Sequence, residues 1–367
     1  MRTCSARAAV IQYLDALERG AIAPDAHLAG GGHVQKLEQK LARHYGMRHA
    51  LCVSNASMGL YSLALALEMR DTAFVTTPYT YGASIAGWLQ LGNTPIFADI
   101  DPLTLTLDPS AARRAITGST RAILAVDILG NPSDSAALRR AADEHGLWYI
   151  ADASQSLGAS RSGRPASSYA DALVLSFTAG KTLFAGEGGA VLTNNRDLFE
   201  RLVWHTQHAD RQRREIGLRA WNEFALNARI HPLAAAWADA RFETALRAVG
   251  DRRYRALKVL EAAERTGLVC SAPYARLHIF PSFYRVTAAW KHGTNGAALA
   301  AAMRRAGMAV RAEACPVRVL YRQAAFRAQF GSSSACSPRC AEAEWQERHR
   351  FSLTLIDGTY RPRGPQP

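Results

Sequence analysis

Between about residues 48 and 195 the chain alternates short apolar runs with longer helix-like stretches. This alternation is typical of a mostly parallel sheet covered by helices. The predicted strands cover residues 50–53, 73–77, 94–99, 121–127, 148–152, 172–177 and 189–193. The predicted helices between them cover residues 58–68, 82–91, 109–116 and 135–144. The third of these helices has Asp108 as its N-cap and Pro109 as its first residue.

After Asp197 the apolar positions recur mainly with helical spacing. Helices are predicted at residues 198–205 and 233–264, and a further helix at 296–306 follows a strand-like run at 277–285. The alternation before this point and the helices after it predict an α/β fold with more than one part.

The chain has 367 residues, which is more than a single small core usually holds. We place a boundary inside the long helix, near residues 240–265. Residues 1–245 are then predicted to form a large domain with an N-terminal helical segment. Residues 246–367 are predicted to form a smaller α+β domain. A composition of 48% apolar and 20% charged residues agrees with a well-packed globular enzyme.

Several protein classes are disfavoured by what the sequence lacks. No apolar run approaches the length of a membrane span, and the first amphipathic stretch, residues 8–17, does not have the apolar core of an export signal. The six cysteines are irregularly spaced, so we expect free thiols in a reducing cytoplasm. Cys336, Cys340 and His349 would leave a zinc ion under-coordinated, and no metal site is predicted.

The formal charge of +13 raises the question of nucleic-acid binding. The basic residues are scattered, and the densest group, Arg211 to Arg214, has no interleaved aromatic residues. We interpret that group as solvated, loop-like surface and expect no nucleic-acid partner. Nearly all of the positive charge is arginine, which suits anionic small molecules because guanidinium binds phosphate and carboxylate bidentately.

Lysine is scarce enough for each of the five to be considered in turn. Lys36 and Lys40 lie four residues apart on the polar face of a predicted helix, Lys258 sits similarly, and Lys291 lies in a loop. Lys181 differs because it follows the strand 172–177 among small residues. Partial burial there would lower the pKa of its amine and free it for Schiff-base chemistry, although a structural lysine is the alternative.

Asp152 ends an apolar strand at the edge where parallel strands present ligand-binding residues. A carboxylate there needs a partner, which could be a protonated pyridine nitrogen or, alternatively, the start of a following helix. The turn Ser54-Asn55-Ala56-Ser57 joins a strand to a helix, and its amides and the Ser57 hydroxyl could bind a phosphate. Such turns also serve merely as helix caps.

Motifs in this order resemble the DegT/StrS group of sugar aminotransferases, which are fold-type I pyridoxal-phosphate enzymes. The matching segments are Leu37-Glu38 to Tyr45-Gly46, Val53 to Ser57, Thr77-Pro78-Tyr79-Thr80-Tyr81, Phe97-Ala98-Asp99-Ile100-Asp101, Asp152 to Ala159, Ser176-Phe177 to Lys181, and Gly186-Glu187-Gly188-Gly189. The resemblance covers residues 30–245 well and continues loosely to the end.

The resemblance implies a large aspartate aminotransferase-like domain and pyridoxal 5'-phosphate as cofactor. It also implies roles for individual residues. Lys181 would form the Schiff base, Asp152 would pair with the pyridine nitrogen, Gln155 would reach the phenolic oxygen, Tyr81 would stack on the ring, and Ala56, Ser57 and Ser176 would hold the phosphate. A core aromatic is the alternative interpretation of Tyr81.

Three segments depart from the family pattern. Asn55-Ala56-Ser57 stands where the family usually has Asn-Gly-Thr, and residues 225–230 keep only Asn227 and Arg229 of a segment that reaches the neighbouring subunit's site. These two residues would therefore contact the phosphate across a homodimer. Residues 315–322 lack the histidine of nucleotide-sugar members and are more similar to the 3-amino-5-hydroxybenzoate synthase and aminocyclitol branch.

The sequence thus predicts a homodimeric aminotransferase with shared active sites. It would move an amino group from glutamate or glutamine to a keto-sugar or keto-cyclitol in a biosynthetic pathway. One alternative is a related enzyme that dehydrates and aromatises its substrate. Another is a regulatory protein that binds the cofactor without turnover, which the presence of Lys181, Asp152 and Gln155 disfavours.

Overall fold

The computed structural model describes residues 5–23, 25–217, 221–274, 277–291, 295–330 and 340–355. Its helices are α1 (Ala6–Glu18), α2 (His33–Tyr45), α3 (Ala56–Ala66), α4 (Ala83–Leu89), α5 (Pro109–Ala115), α6 (Ser135–Glu144), α7 (Arg196–Thr206), α8 (Ala209–Ile216), α9 (Pro232–Arg265), α10 (Gly296–Arg305), α11 (Ala324–Phe330) and α12 (Ala341–His349). Its strands are β1 (His49–Val53), β2 (Ala73–Thr76), β3 (Thr94–Phe97), β4 (Thr120–Val126), β5 (Trp148–Asp152), β6 (Ser160–Arg161), β7 (Arg164–Pro165), β8 (Ala172–Ser176), β9 (Gly189–Thr193), β10 (Val269–Cys270), β11 (Ile279–Phe280), β12 (Val286–Trp290), β13 (Val310–Ala314) and β14 (Arg350–Leu355).

The largest sheet has seven strands in the order β1-β9-β8-β5-β4-β2-β3. All neighbours pair in parallel except β9, which is antiparallel to both β1 and β8. The prediction of a mostly parallel sheet is confirmed, and the bounds predicted between residues 48 and 195 agree with the observed ones to within two residues. Because six strands run in the same direction, their carboxyl ends form one edge at which side chains from distant parts of the sequence meet.

Buried apolar residues form separate clusters on the two faces of this sheet. The strands are almost wholly apolar because helices cover both faces. A third cluster lies under a four-stranded antiparallel sheet of order β10-β12-β14-β13. None of the helices in the described ranges combines the length and apolar character that a bilayer span requires.

Helix α9 connects the two sheets and runs through the boundary predicted at residue 245. At 34 residues it is roughly 50 Å long. Ala235 to Ala245 pack in the large-sheet core, whereas Ala256 to Ala263 pack in the third cluster. Apolar residues between Cys315 and Ala343 return to the core of the large sheet, so the C-terminal part of the chain contributes to both cores.

The strand-like run predicted at residues 277–285 is wrong in most of its length. Only Ile279 and Phe280 pair, as β11 with β6, and the next strand begins at Val286. Phe283 has a positive φ of 49°, which interrupts an extended strand. The backbone of this segment instead bonds to a turn of the large domain, with Ser282 N donating to Gly130 O at 2.9 Å.

The interpretation of Arg211 to Arg214 as solvated surface is confirmed for Arg213 and Arg214, which are exposed, but it is wrong for Arg211 and Gln212, and the segment is not a loop. These residues lie in α8, and the Arg211 side chain is only 2% exposed. Its guanidinium nitrogens lie 2.8 and 3.0 Å from the two carboxylate oxygens of Glu38 in α2. One of these oxygens also accepts a 2.7 Å bond from Cys52 N in β1. Arg211 is therefore buried because it pairs with the buried carboxylate of Glu38, 173 residues away in sequence.

Lys40 likewise is not simply a solvated residue. Its Nζ lies 2.6 Å from the Asp239 Oδ1 of α9 and donates to the Asp239 carbonyl at 2.8 Å. The pairing arises because α2 packs against the first half of α9. Lys36 and Lys291 are exposed, as predicted.

Candidate active site

Asp152 is 5% exposed at the carboxyl end of the central strand β5. Its Oδ2 accepts a 2.7 Å hydrogen bond from Ser84 Oγ, and its Oδ1 accepts a 3.0 Å bond from Ser154 N. Residues 153–159 form turns and no helix, so the alternative role as a helix cap is not observed. The carboxylate is held by two neutral donors and has a fixed orientation.

Lys181 lies in the turn that follows β8, the strand next to β5. Its Nζ lies 4.6 Å from the centroid of the Tyr284 ring. Burial lowers the pKa of the Lys181 amine, and the nearby Asp152 carboxylate partly opposes this effect by favouring the ammonium form. The amine is therefore neutral over a wider pH range than an exposed lysine, as nucleophilic and proton-transfer roles require.

The turn between β1 and α3 has the geometry of an anion-binding helix start. The Asn55 side chain caps α3 by accepting a 2.8 Å bond from Met58 N, and the helix begins at Ala56, two residues earlier than predicted. Ser57 is exposed at its first turn. A Cβ on Gly189 would lie 2.8 Å from Ala56 N and 2.7 Å from Leu175 O. The backbone of β9 thus packs directly behind the helix start.

Ser176 is the last residue of β8 and is buried. Its Oγ accepts a 3.4 Å hydrogen bond from Thr178 N. Gln155 lies in the turns after β5, where its Oε1 accepts a 2.7 Å bond from Leu129 N. This bond fixes the plane of the Gln155 amide. Both residues are thus at the same sheet edge as Asp152 and Lys181.

Tyr81 lies between β2 and α4 and is 73% exposed. The core-aromatic interpretation of this residue is therefore wrong. Residues 315–321 pack beside the same turn: Leu320 N donates to Pro78 O at 2.9 Å, and Tyr79 Oη lies 3.7 Å from Cys315 Sγ. The segment that departs from the family pattern is thus adjacent to the Tyr81 turn.

Asn227 and Arg229 lie at the outer edge of β1. Ser54 N donates to Ala228 O at 2.9 Å, and Arg229 forms an isolated antiparallel bridge with Val53. The Arg229 guanidinium donates to the Asn227 side-chain oxygen. As predicted, neither residue belongs to a βα turn of its own chain, but their segment runs beside the turn at residues 54–57.

Sequence reasoning missed two residues that support the site. Ser84 holds Asp152, and its place at the start of α4 gave no specific signal. Asp127 is 1% exposed one residue beyond β4, and its Oδ2 accepts bonds from Ser156 Oγ at 2.7 Å and Ser167 Oγ at 2.8 Å. Its Oδ1 accepts a 2.8 Å bond from Ser133 N. A second acidic residue at a strand end was a usable signal, because Asp127 directly follows β4 and Asp152 ends the neighbouring strand β5.

Cys336, one of the two cysteines considered as metal ligands, lies outside the described residues. Cys340 is buried at the start of α12, and burial raises the pKa of its thiol. Within the described ranges, no group of three His, Cys, Asp or Glu side chains has metal-binding geometry.

The residues at this edge fit a phosphorylated pyridine. The carboxylate of Asp152 is oriented and buried, the amine of Lys181 is partly desolvated, and the start of α3 offers amides and a hydroxyl to an anion. A mostly parallel sheet with this arrangement agrees with the fold-type I pyridoxal-phosphate-dependent fold that the sequence predicts. The chain belongs to the DegT/DnrJ/EryC1/StrS aminotransferase family, whose pattern matches residues 15–359.

Three similar proteins illustrate the range of this family. GDP-perosamine synthase of Vibrio cholerae is 32% identical over 216 residues, covering 58% of this chain and 58% of that protein. L-glutamine:2-deoxy-scyllo-inosose aminotransferase of Streptoalloteichus tenebrarius is 36% identical over 198 residues, covering 52% and 46%. The structure of 3-amino-5-hydroxybenzoic acid synthase superposes with a TM-score of 0.77 at 25% identity, covering 95% of this chain and 90% of that one. The chain spans about half the length of the curated relatives it matches.

Proposed function

We propose that the protein transfers an amino group from glutamate or glutamine to the ketone of a sugar or cyclitol in a biosynthetic pathway that makes a natural product or a surface glycan. The observation that carries the proposal is the juxtaposition of Lys181 and Asp152 at the carboxyl ends of adjacent strands. Similarity to GDP-perosamine synthase and to L-glutamine:2-deoxy-scyllo-inosose aminotransferase supports the substrate class.

When bound, pyridoxal phosphate supplies an electron sink for negative charge that develops at a substrate carbon. Asp152 maintains the proton on the pyridine nitrogen, because its oriented carboxylate stabilises the positive charge there. Lys181 moves the proton to and from the reacting carbon as general base and acid, a role that its lowered pKa favours.

The remaining site residues bind and orient. The oxygen of the Gln155 amide accepts a bond from Leu129 N, so its N–H groups would be the part of the amide that binds the phenolic oxygen. Tyr81 would stack on the ring, and Ser57, Ser176 and the amide of Ala56 would hold the phosphate. Each of these groups lies at or after the carboxyl end of one of the six strands that run in the same direction, so one edge of the sheet positions them all.

We further propose a cytoplasmic homodimer in which Asn227 and Arg229 of each subunit complete the phosphate site of the other. Three features support this arrangement: the exposed position of Asn227, its location at the outer edge of β1, and the exposed apolar side chains just before it, including Phe224 at 92%. The free thiols of Cys52 and Cys315 agree with a reducing compartment.

A two-stage assay tests the proposed reaction. The cofactor-loaded protein is mixed with glutamate or with glutamine, and the cofactor absorbance is followed. A panel of keto-sugars and keto-cyclitols is then added, and products are identified by mass spectrometry. We expect a spectral change with an amino donor and an aminated product, both lost in Lys181→Ala.

Two other results would favour the alternative functions. Absence of a spectral change with either donor would indicate a regulatory cofactor-binding protein. A product that has lost water and become aromatic would indicate the dehydrating reaction, for which the likeness to 3-amino-5-hydroxybenzoic acid synthase is the supporting observation.

A further inference from the structure

A cavity of about 340 Å³ lies between the large domain and the C-terminal part of the chain. The turn at residues 102–103 forms one wall. The other walls are α12, the start of β14, and residues in and after β10 and in β12. The described residues that line the cavity include none of those proposed to hold the cofactor, and its volume is that of a small-molecule site.

Arg350 brings a buried positive charge to this cavity, since the residue is only 7% exposed. Its Nε donates to Gln346 Oε1 at 2.7 Å, and a terminal nitrogen donates to Thr287 Oγ1 at 3.2 Å. Both partners are neutral, and no carboxylate of the described residues forms an ion pair with Arg350. The buried Arg211, by contrast, pairs with both carboxylate oxygens of Glu38. A buried charge without an opposite charge is costly, so an anionic ligand would be stabilised beside Arg350.

Glu342 also lines the cavity, but Gln346 holds it apart from Arg350. The buried amide of Gln346 accepts the bond from Arg350 and donates to Glu342 Oε1 at 2.7 Å. The backbone of Glu342 is fixed as well, because Glu342 N and Ala343 N each donate to Asp99 at 2.9 Å. A guanidinium has more N–H donors than the two that Arg350 uses here, so donors are left for a ligand.

The rest of the lining is mostly apolar. Trp345 is exposed, and its indole ring stacks on the His349 ring with 4.6 Å between centroids and 14° between planes. This contact fixes the orientation of the indole. The other apolar residues of the lining are Pro102, Leu103, Ala272 and Ala289. A ligand with an apolar body would cover these side chains and exclude water from them.

We propose that this cavity binds a small organic carboxylate with a flat apolar body, such as an aromatic acid. Arg350 pairs with the carboxylate, and Trp345 and Leu103 pack against the body. A single carboxylate fits better than a phosphate dianion, because the site has one guanidinium and Glu342 would repel a second negative charge. The site is independent of the proposed aminotransferase function, since neither the cofactor nor Lys181 takes part in it.

The test is calorimetric titration of the cofactor-loaded protein with cinnamate as the probe. Cinnamyl alcohol, which has the same flat body without the charge, is the control ligand. Arg350→Gln removes the buried charge, and Trp345→Ala removes the exposed aromatic surface while leaving Arg350 and its bonds in place. Arg348→Gln, exposed on α12 and outside the lining, is the matched control variant.

Cys270 reports where the probe binds. Its free thiol is exposed at the end of β10 and lines the cavity, whereas Cys52, Cys315 and Cys340 are buried. Iodoacetamide, which is uncharged, alkylates the accessible thiol, and peptide mass spectrometry follows the modification of Cys270. Cinnamate in the cavity should slow this alkylation in proportion to the fraction of protein that has bound it.

We expect the wild type to bind cinnamate about tenfold or more tightly than cinnamyl alcohol, and Arg350→Gln to lose that preference. Trp345→Ala should weaken cinnamate binding about threefold or more, and Arg348→Gln should bind like the wild type. If Arg350→Gln does not fold, the preference of the wild type for cinnamate over the alcohol tests the charge by itself.

Four results would overturn the proposal. These are no binding of cinnamate to the wild type, equal binding of cinnamate and cinnamyl alcohol, unchanged binding in Trp345→Ala, and binding that leaves the alkylation of Cys270 unaltered. None of these measurements depends on transamination, so the site is judged separately from the proposed function.

Discussion

Asp152 has a hydroxyl donor on one carboxylate oxygen and a backbone amide on the other. An Asp152→Asn side chain can keep the same shape and still accept a hydrogen bond, so we expect the variant to fold and to retain some cofactor. A neutral amide cannot maintain the proton on the pyridine nitrogen. We predict that turnover falls by roughly two orders of magnitude or more, as when an electrostatic partner at a reacting group is lost.

Steady-state kinetics and the cofactor absorbance of the purified variant provide the measurement. Asp108→Asn makes the same chemical change at the N-cap of α5, where asparagine caps as well as aspartate does, and should leave turnover unchanged. Near-normal activity of a correctly folded Asp152→Asn would show that the carboxylate has only a structural role.

At the scale of single residues, the sequence predicted the positions that follow directly from strand ends. Asp152 was found because it ends the apolar strand β5, and Lys181 because it lies in the turn of small residues that follows the apolar strand β8. Ser84 could not be found in this way, because its contact with Asp152 joins positions 68 residues apart and only the folded sheet brings them together. Arg211 was placed wrongly for the same reason, since its partner Glu38 is 173 residues away.

At the scale of elements, the start of α3 depends on the close approach of β9. Any side chain at Gly189 would collide with the backbone of Leu175 and Ala56. Gly189→Ala should therefore displace the α3 start and weaken cofactor retention about tenfold or more, since a hydrogen bond to a charged group contributes about 1.5 to 3 kcal/mol. Equilibrium dialysis of the cofactor measures this effect. Gly250→Ala, in α9 with open space around it, is the control and should retain cofactor normally.

The buried pair of Arg211 and Glu38 links α8 to α2 and, through Cys52 N, to β1. Removing one partner leaves an uncompensated buried charge, so Arg211→Ala should lower the free energy of unfolding by about 3 to 5 kcal/mol. Arg214→Ala removes an exposed guanidinium on the same helix from its pair with Glu215, and should change the free energy of unfolding by less than about 1 kcal/mol. Chemical denaturation compares the two, and similar stabilities would contradict the importance of the buried pair.

Elements with regular periodicity were predicted well, and irregular ones were not. The central strands are apolar because both faces are covered, and their runs end at clear turn residues. Helix α8 was missed because its short charged sequence contains few apolar residues, and the inward side chains are Arg211 and Gln212. The left-handed backbone conformation of Phe283, which interrupts the strand predicted at residues 277–285, has no signal in the sequence.

At the scale of the whole molecule, the proposal is that two chains complete each other's sites. Lys181→Ala subunits keep Asn227 and Arg229, whereas Asn227→Ala/Arg229→Ala subunits keep Lys181. In a mixed dimer, one site has an intact lysine and intact contacts from the other chain. Equal mixing of the inactive parents should therefore restore roughly a quarter of wild-type activity, since half of the dimers are mixed and each has one complete site.

The control for this complementation is proof of subunit exchange by mass spectrometry of differently tagged chains. If exchange is complete and no activity returns, Asn227 and Arg229 act within their own chain. The bond from Ser54 N to Ala228 O, which places their segment beside the chain's own phosphate turn, would then explain their role.

The central claim is that Lys181 carries the cofactor, and borohydride reduction of the cofactor-loaded protein tests it most directly. Reduction converts the Schiff base into a stable bond, and peptide mapping by mass spectrometry then locates the modified lysine. We predict that the cofactor is found on the peptide that contains Lys181, because burial lowers the pKa of this amine beside Asp152. Lys181→Ala should remain unlabelled, and attachment to Lys258 or Lys291 in the wild type would contradict the account.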